Sequence, residues 1–373
     1  MSDQTKTWLG SRLPIAHNIG NQLSRKPLAA NQPYLAALGM LITATLLFLV
    51  LSGVVLSAYY VAAEHRAFQS IQLIMRDVND GWLIRSFHAT GTTMLFAAVY
   101  LAIFRALVTG SYRLPGELVW SLKLVFLLLM LLVGYLGYAM QDSAVSYWSL
   151  HGVVQTGAGL ASFPANIFNW VFGGPAGPGT LTRLAVMHGL LTFIALGVLA
   201  LHYFAKQAIT PPAEKTVPLH PYYTSHHFVA AGVYVLLFAV LVFFAPHLGE
   251  NPLNQAPANP LLVPAVTTPP WYLLPATALT HALPGTNGGI IAFIAAFAVL
   301  FGMPWLDRSA PGARPGFLYK LLVVVLALDV IALCLVAAAG PSTINAVLTI
   351  VFIGWYFLHF LVLTPLATAR ELN

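Results

Sequence analysis

Residues 184–207 read LAVMHGLLTFIALGVLALHYFAKQ, and this stretch decides the fold class. An α-helix rises about 1.5 Å per residue, so a helix of this length crosses the roughly 30 Å hydrocarbon core of a bilayer. Two histidines, His188 and His202, interrupt the apolar run. Because an ionisable side chain within a membrane span usually serves a function, the stretch predicts a transmembrane helix that carries a site.

The rest of the chain repeats this apolar pattern. Together, the eight predicted spans cover residues 35–61, 83–108, 118–139, 184–207, 227–246, 287–305, 319–340 and 344–366. The chain is 58% hydrophobic and 8% charged, with a mean hydropathy of +0.79, whereas soluble domains carry roughly a quarter charged residues. We therefore expect an all-α integral membrane protein, and the composition excludes a soluble enzyme, a nucleic-acid binder and a disordered scaffold.

The placement of Lys and Arg predicts the orientation in the membrane. With the N-terminus inside, thirteen of the 17 basic residues fall on the inner side. The four on the outer side are Arg66, Arg76, Arg85 and Arg183. Since basic loops favour the cytoplasm, we expect cytoplasmic N- and C-termini in a bacterial-type inner membrane, with residues 1–34 as a cytoplasmic arm.

Two outer connections, residues 140–183 and 247–286, are long and rich in Pro, Gly and aromatic residues. Long ordered loops are usually functional. Residues 146–154 (SYWSLHGVV) and 271–283 (WYLLPATALTHAL) each predict a short helix along the outer surface.

Histidines in the second and fourth spans predict a metal cofactor. Both spans run from outside to inside, and His88 and His188 lie at matching depths near their outer ends. Two facing imidazoles suit the axial positions of a six-coordinate b haem. His202 follows His188 by fourteen residues, which places it on the same helix face about 21 Å further in. Gly39 and Gly53 are also fourteen residues apart. They either leave room for a flat porphyrin beside the helix backbone or serve ordinary helix packing.

The chain resembles a divergent member of the cytochrome b family of cytochrome bc-type (quinol–cytochrome c oxidoreductase) complexes. The segments that carry the resemblance are 81–88 (GWLIRSFH), 110–112 (GSY), 137–138 (GY) with 146–148 (SYW), His188 with His202, 220–224 (HPYYT), 251–252 (NP) with 258–261 (ANPL), and 271–272 (WY). The resemblance implies a cytochrome b-type bundle of eight transmembrane helices, with two b haems, an outer quinol oxidation site and an inner quinone reduction site. It divides the chain into a haem-binding four-helix bundle at 35–210 and a C-terminal four-helix part at 211–373, which includes the outer loop.

For the outer haem, the resemblance implies a complete set of residues. His88 and His188 match the axial ligands, and Gly53 and Gly137 match the glycines beside that haem. Arg85 matches a basic residue suited to a haem propionate.

The inner haem site departs from the family pattern. Where the family has its second histidine in the second span, this chain has Ala102, which offers no donor atom. The glycine expected fourteen residues before Gly137 is Lys123. We therefore expect one b haem and an empty inner site.

Some inner-site residues are nevertheless retained, namely Gly39, His202 and Arg105. Two alternatives therefore stay open: a five-coordinate second haem on His202 alone, or a second ligand recruited from His226 or His227. In the inner quinone site, the family's histidine becomes Gln207, and the Lys-Asp pair after HPYYT becomes His226 and His227.

The outer quinone site is also altered. The family motif Pro-Glu-Trp-Tyr reads PPWY at 269–272, so Pro270 replaces a Glu thought to accept a proton from quinol, and the family's Tyr becomes Thr277. A proline side chain cannot accept a proton. The remaining catalytic candidates are Asp142, Tyr272 and His281.

We therefore expect a membrane electron-transfer subunit of a bc-like or composite respiratory complex, exchanging electrons between quinol and an outer redox partner. The expected partners are a Rieske-type iron–sulfur protein or a c-type cytochrome, with other membrane subunits, in a dimer or larger complex. Without an inner haem, a gap of about 20 Å is too long for efficient single-step tunnelling. The alternatives are a complete cytochrome b with an unusually ligated second haem, a non-catalytic membrane anchor, and a structural paralogue.

Overall fold

Helices make up nearly all of the computed structural model, which describes residues 28–29, 34–158, 166, 170, 179–209, 216–217, 222–280, 286–310 and 313–370. In chain order the helices are α1 (Leu38–Ser57), α2 (Ala67–Arg76), α3 (Gly81–Thr109), α4 (Glu117–Ala139), α5 (Ala144–Ala158), α6 (Thr180–Ile209), α7 (Thr224–Phe244), α8 (Leu274–Thr280), α9 (Thr286–Leu306), α10 (Phe317–Ala338), α11 (Thr343–Leu358) and α12 (Thr364–Ala369).

Eight helices of the described part are long and apolar enough to cross a membrane. They are α1, α3, α4, α6, α7, α9, α10, and α11 continued through a π-helical turn at His359–Leu363 into α12. These helices coincide with the eight predicted spans to within a few residues at each end. The predicted all-α membrane fold is confirmed.

The outer connections contain helices that lie outside the spans. α5 covers the predicted helix at 146–154, and α8, preceded by a 3₁₀ turn at Trp271–Leu273, covers the described part of the second. α2 was not predicted because its apolar run is too short for a span. Ala67, Ser70 and Ile74 form its buried face, and it packs against α3.

The N-terminal bundle consists of two closely packed helix pairs. α1 packs along α3, and α4 packs along α6, whereas α3 and α4 meet over a much smaller area. Large buried side chains such as Leu46, Leu95, Phe96 and Leu124 fill the core of this part. Because close packing is concentrated within each pair, a slot remains between the pairs at the outer end.

Contacts between distant segments tie one end of the bundle together. Strand β1 (Leu28–Ala29) pairs antiparallel with β2 (Thr216–Val217), in the connection between α6 and α7. In the α3–α4 connection, Arg113 Nε lies 2.7 Å from Asp307 Oδ2, just past the end of α9. Tyr112 donates a hydrogen bond of 2.5 Å to the same carboxylate. The division of the chain near residue 210 stays a prediction.

Candidate functional site

A cavity of about 340 Å³ lies between the two helix pairs at their outer ends. α1, α3, α4 and α6 line it, together with residues 248–250 and 270–272 of the outer loop. The residues predicted for the outer haem all line it: Gly53, Arg85, His88, Gly137 and His188. The tertiary structure thus brings the whole predicted outer set to one cavity.

The two imidazoles are held through their Nδ1 atoms. His188 Nδ1 lies 2.9 Å from the carbonyl oxygen of Val133. His88 Nδ1 lies 2.9 Å from Ser52 Oγ, whose own hydroxyl donates to Leu49 O. A carbonyl oxygen only accepts, and the Ser52 hydroxyl hydrogen is already used, so both Nδ1 atoms donate. Each Nε2 therefore keeps its lone pair, the form in which histidine binds a metal.

The separation of the rings fits one iron atom between them. The ring centroids of His88 and His188 are 6.3 Å apart. Two imidazole–metal bonds of about 2 Å each, with the distances from Nε2 to the ring centres, add to roughly 6 Å. Neither Nε2 has a hydrogen-bond partner among the described residues. The residues present fit a bis-histidine haem.

The glycines beside these rings make room for the imidazoles. A Cβ on Gly137 would lie 2.9 Å from His188 Cε1, and a Cβ on Gly53 would lie 3.2 Å from His88 Cε1. From the sequence, Gly53 is expected either to admit a flat porphyrin or to serve ordinary helix packing, and Gly137 to lie beside the haem. The structure shows a more direct reason for glycine at these two positions. The imidazole rings of His88 and His188 occupy the space that a side chain would need.

Arg85 supplies a positive charge at the wall of this cavity, one turn before His88. Its guanidinium makes no hydrogen bond or ion pair with any described residue. An unpaired guanidinium suits a carboxylate such as a haem propionate.

The inner site keeps one oriented histidine and lacks the second. His202 Nδ1 lies 3.1 Å from Val119 O, the same arrangement that His188 makes with Val133. Across from it, α3 carries Ala102, and Lys123 Nζ lies 3.5 Å from the Ala102 carbonyl oxygen. Lys123 therefore connects α4 to α3 at this depth, and the residues present do not fit a bis-histidine haem.

The other inner-site residues do not supply a replacement ligand. A Cβ on Gly39 would meet nothing within 4 Å, and Arg105 lies within electrostatic range of Lys123. His226 packs on Tyr34, with ring centroids 4.3 Å apart.

His227 is also engaged locally, since its Nδ1 lies 2.7 Å from Tyr223 O. The charged groups that act on His202 are Lys123 and Lys206. Recruitment of a second iron ligand from His226 or His227 therefore has no support from the contacts of the described residues.

The outer-loop side of the cavity contains Tyr272, one of the residues predicted for the outer quinone site. Tyr272 stacks on Phe96 with ring centroids 4.3 Å apart, and Tyr100 Oη donates a 2.6 Å hydrogen bond to Tyr272 O. Pro270 and Trp271 line the cavity beside Tyr272. Burial raises the pKa of Tyr272, so its hydroxyl is a hydrogen-bond donor rather than a base.

Two catalytic candidates from the sequence lie away from this cavity. Asp142 Oδ2 accepts a 3.1 Å hydrogen bond from the His65 backbone N–H, and Asp142 lines a separate, smaller cavity with Phe68. Burial raises the pKa of Asp142, against the opposing effect of the His65 hydrogen bond. Asp142 thus joins two outer connections and does not replace the missing glutamate. His281 lies outside the described residues.

Thr277, which stands at the family's Tyr position, turns back onto its own helix. Its Oγ1 donates to Leu273 O at 3.1 Å. The structure instead brings an acidic residue that was not predicted, Glu250, to the cavity wall beside Tyr272. The chain has only 11 acidic residues, so a carboxylate in a long outer loop is unusual. That rarity is the sequence signal that could have identified Glu250.

The chain is similar to known proteins over nearly its whole length. The family model described as cytochrome b/b6/petB matches residues 23–209, and that described as cytochrome b (C-terminal)/b6/petD matches residues 257–358. The chain is 34% identical to cytochrome b of Rickettsia prowazekii (strain Madrid E), covering 98% of this chain and 94% of the relative. It is 35% identical to cytochrome b of Rhodospirillum rubrum, covering 96% and 91%. A chain of a solved hyperthermophilic respiratory Complex III matches with a TM-score of 0.88 and 27% identity, covering 98% of this chain and 99% of that one.

Proposed function

The chain belongs to the cytochrome b family, a multi-pass protein of an energy-transducing membrane, and we propose that it oxidises quinol at its outer cavity with one b haem. The observation that carries this proposal is the facing pair His88 and His188 in the cavity that Trp271 and Tyr272 also line. In this proposal the membrane is a bacterial-type inner membrane, and both termini are cytoplasmic.

The chain's own residues hold and shield the reacting groups. A b haem, when bound, supplies one-electron transfer. His88 and His188 hold its iron, and Arg85 balances a propionate. Phe96 and Tyr100 fix Tyr272 at the cavity wall, so that quinol binds next to the iron site.

The absence of an inner haem directs electrons to the outer side. Ala102 offers no ligand, and Lys123 occupies the volume beside it. Without a redox centre at that depth, the roughly 20 Å path to the inner face is too long for efficient single-step transfer. We therefore assign the electron acceptor to an outer partner, a Rieske-type iron–sulfur protein or a c-type cytochrome.

A multi-subunit assembly is part of the proposal. The matched solved chain comes from a protein described as respiratory Complex III. On the outer loop, the consecutive residues Leu261, Leu262 and Val263 are 96%, 66% and 61% exposed. A contiguous apolar patch of this kind usually marks an interaction surface, so it supports a partner on the outer side within a dimeric or larger complex.

A complete two-haem cytochrome b is the second candidate. The observation that favours it is His202, whose Nδ1 is held by Val119 O as His188 is held by Val133 O. An inner haem on His202 would restore the path across the membrane. A membrane anchor or structural paralogue has no comparable observation in its favour.

The test is a haem count and turnover assay on the complex purified intact from membranes. We expect one b haem per chain by pyridine haemochrome, and quinol-to-cytochrome c turnover blocked by outer-site but not inner-site inhibitors. Two haems per chain, with fast turnover blocked by both inhibitor classes, would establish the second candidate. A chain without b haem would be an anchor or paralogue.

A further inference from the structure

We propose that Glu250 is the base that accepts a proton from quinol in the outer cavity, and that His247 passes this proton to the outer solvent. The inference rests on the proposed function, since it requires quinol in that cavity. The inference assigns the proton-accepting role to a residue that lies nineteen positions before the start of the altered PPWY motif at 269–272.

The backbone of the outer loop places Glu250 at the cavity. Trp271 N donates a 3.2 Å hydrogen bond to Gly249 O. Gly249 has φ +78°, and a Cβ on it would lie 2.8 Å from Trp271 Cδ1. Only glycine combines this conformation with so close an approach. The next residue, Glu250, therefore meets the same cavity as Trp271 and Tyr272.

Buried polar atoms that make no hydrogen bond within the described part of the chain line this apolar cavity. Glu250 Oε2 and Tyr138 Oη are buried and make no hydrogen bond with any described residue. Tyr272 Oη likewise has no described partner, and Glu250 acts electrostatically on both tyrosines. Buried polar groups are normally satisfied, and a ring with two hydroxyl groups is the class of ligand that would satisfy these.

A route to solvent continues from the carboxylate. Glu250 Oε2 lies 3.5 Å from His247 Nδ1, and the two side chains are 16% and 53% exposed. Gln255 Nε2 lies 3.2 Å from the same Nδ1. When the Gln255 amide donates, that nitrogen is the unprotonated one. We assign His247 Nδ1 as the atom that receives a proton from the Glu250 carboxylic acid, with the exposed Gln255 amide turning away to free its lone pair.

Quinol loses two electrons and two protons to become quinone. One quinol O–H bond breaks, and its proton forms the O–H bond of the Glu250 carboxylic acid, which then gives it to His247 Nδ1. The second proton leaves on the side of the outer partner. The electrons go to the b haem and to the iron–sulfur or c-type centre of that partner, the oxidants named in the proposed function.

Competing acceptors in the described part of the cavity are few. The other titratable or charged groups that line it are Tyr60, Arg85, His88, Tyr138, His188 and Tyr272. The two histidines serve the iron, the guanidinium is cationic, and buried phenols are poor bases. Glu250 is thus the described carboxylate with access to quinol.

The experiment measures the rate at which quinol reduces the b haem in the intact complex, across pH, for the wild type and four variants. Glu250→Gln should slow the rate about 100-fold, the usual contribution of a general base, with the quinol KM changed by less than about twofold, and should flatten the acidic limb of the pH profile. Glu250→Asp should recover part of the rate. Glu64→Gln, an exposed carboxylate outside the cavity, is the matched control and should match the wild type.

Haem content and spectrum are checked first, so that a folding defect is not mistaken for a lost base. If Glu250→Gln loses haem, the haem-reduction rates of Glu250→Asp and His247→Gln are compared with that of the wild type. Slower reduction in both variants supports the inference, and wild-type rates in both overturn it. A Glu250→Gln rate and pH profile equal to wild type would overturn this inference and leave the proposed function standing. A wild-type complex with b haem that quinol does not reduce would overturn both.

Discussion

Two imidazole rings from different helix pairs meet in the outer cavity, and each is oriented by one hydrogen bond at Nδ1. This orientation is set by local partners, Ser52 for His88 and the Val133 carbonyl for His188. Each ring therefore points its Nε2 toward the space between the pairs.

Replacement of either ligand should remove the haem spectrum. We expect His188→Ala and His88→Ala to abolish the low-spin b signal in reduced-minus-oxidised difference spectra, because a small methyl group cannot bind iron. His151→Ala is the control, since His151 Nδ1 bonds to Tyr147 O within α5 and lies outside the cavity. A His188→Ala protein with an unchanged low-spin spectrum would show that the ligand assignment is wrong.

The inner site should require two changes to accept a haem. Ala102→His alone should leave one haem per chain, because Lys123 still reaches the Ala102 backbone at 3.5 Å. Ala102→His with Lys123→Gly should raise the pyridine haemochrome count to two, since His202 is already oriented by Val119. A second porphyrin in the unmodified protein, or in the Ala102→His variant alone, would contradict this prediction.

At the scale of elements, the pairing of α4 with α6 determines how tightly the outer ligand is held. Gly137 on α4 faces His188 on α6, so the interhelical distance is limited by an imidazole against a backbone. Such small residues allow close helix approach in membranes. α1 and α3 make the same kind of contact, with Gly53 of α1 against the imidazole ring of His88 on α3.

A methyl group at Gly137 should displace the ligand ring. The added Cβ would lie 2.9 Å from His188 Cε1, so we expect Gly137→Ala to lower haem content at least severalfold. Gly53→Ala, at 3.2 Å from His88, should have a smaller effect, and Gly197→Ala, whose Cβ meets nothing within 4 Å, should have none. Haem-to-protein ratios of the three purified variants give the order, and equal ratios would refute this explanation.

At the scale of the whole molecule, a buried ion pair joins the two halves of the chain. Arg113 and Asp307 are 2.7 Å apart, with side chains 6% and 2% exposed. Burial alone would raise the pKa of Asp307, but hydrogen bonds from Ser309, Tyr112 and Arg113 outweigh it, so the pKa is lowered. The α3–α4 connection is thereby fixed to the end of α9.

Removal of this carboxylate should destabilise the folded protein. Asp307→Asn breaks a buried pair with Arg113, a change that costs about 3–5 kcal/mol, and should lower the thermal inactivation temperature of the purified complex. Asp77→Asn, an exposed carboxylate, is the control.

The pH dependence follows from the sign of the pKa change. Since the folded pKa of Asp307 is lowered, the pair stabilises the protein fully above the unfolded pKa of about 3.9 and loses this contribution as pH falls through the lowered folded value. The wild type should therefore lose more of its stability in that acidic range than Asp307→Asn. Parallel acid-inactivation curves for the two proteins would contradict the assignment.

The sequence by itself determined the spans, the histidine spacing and the absence of a donor side chain at Ala102. Each of these depends on local properties: hydropathy over about 20 residues, the 3.6-residue helical period, or the chemistry of a single side chain such as Ala102. The family resemblance extended the same local information to the outer haem set. The short helix α2 was missed because its apolar run matched no span.

Only the tertiary structure decided which polar groups share the outer cavity. Glu250 and Tyr138 meet there although more than a hundred residues separate them, while Asp142, close in sequence to Tyr138, bonds to His65 instead. The roles of Gly137 and Gly249 also depend on the ring that each approaches. Such contacts follow from how helices and loops pack, and because one loop can turn a side chain toward or away from a cavity without changing the hydropathy pattern, the sequence pattern leaves them open.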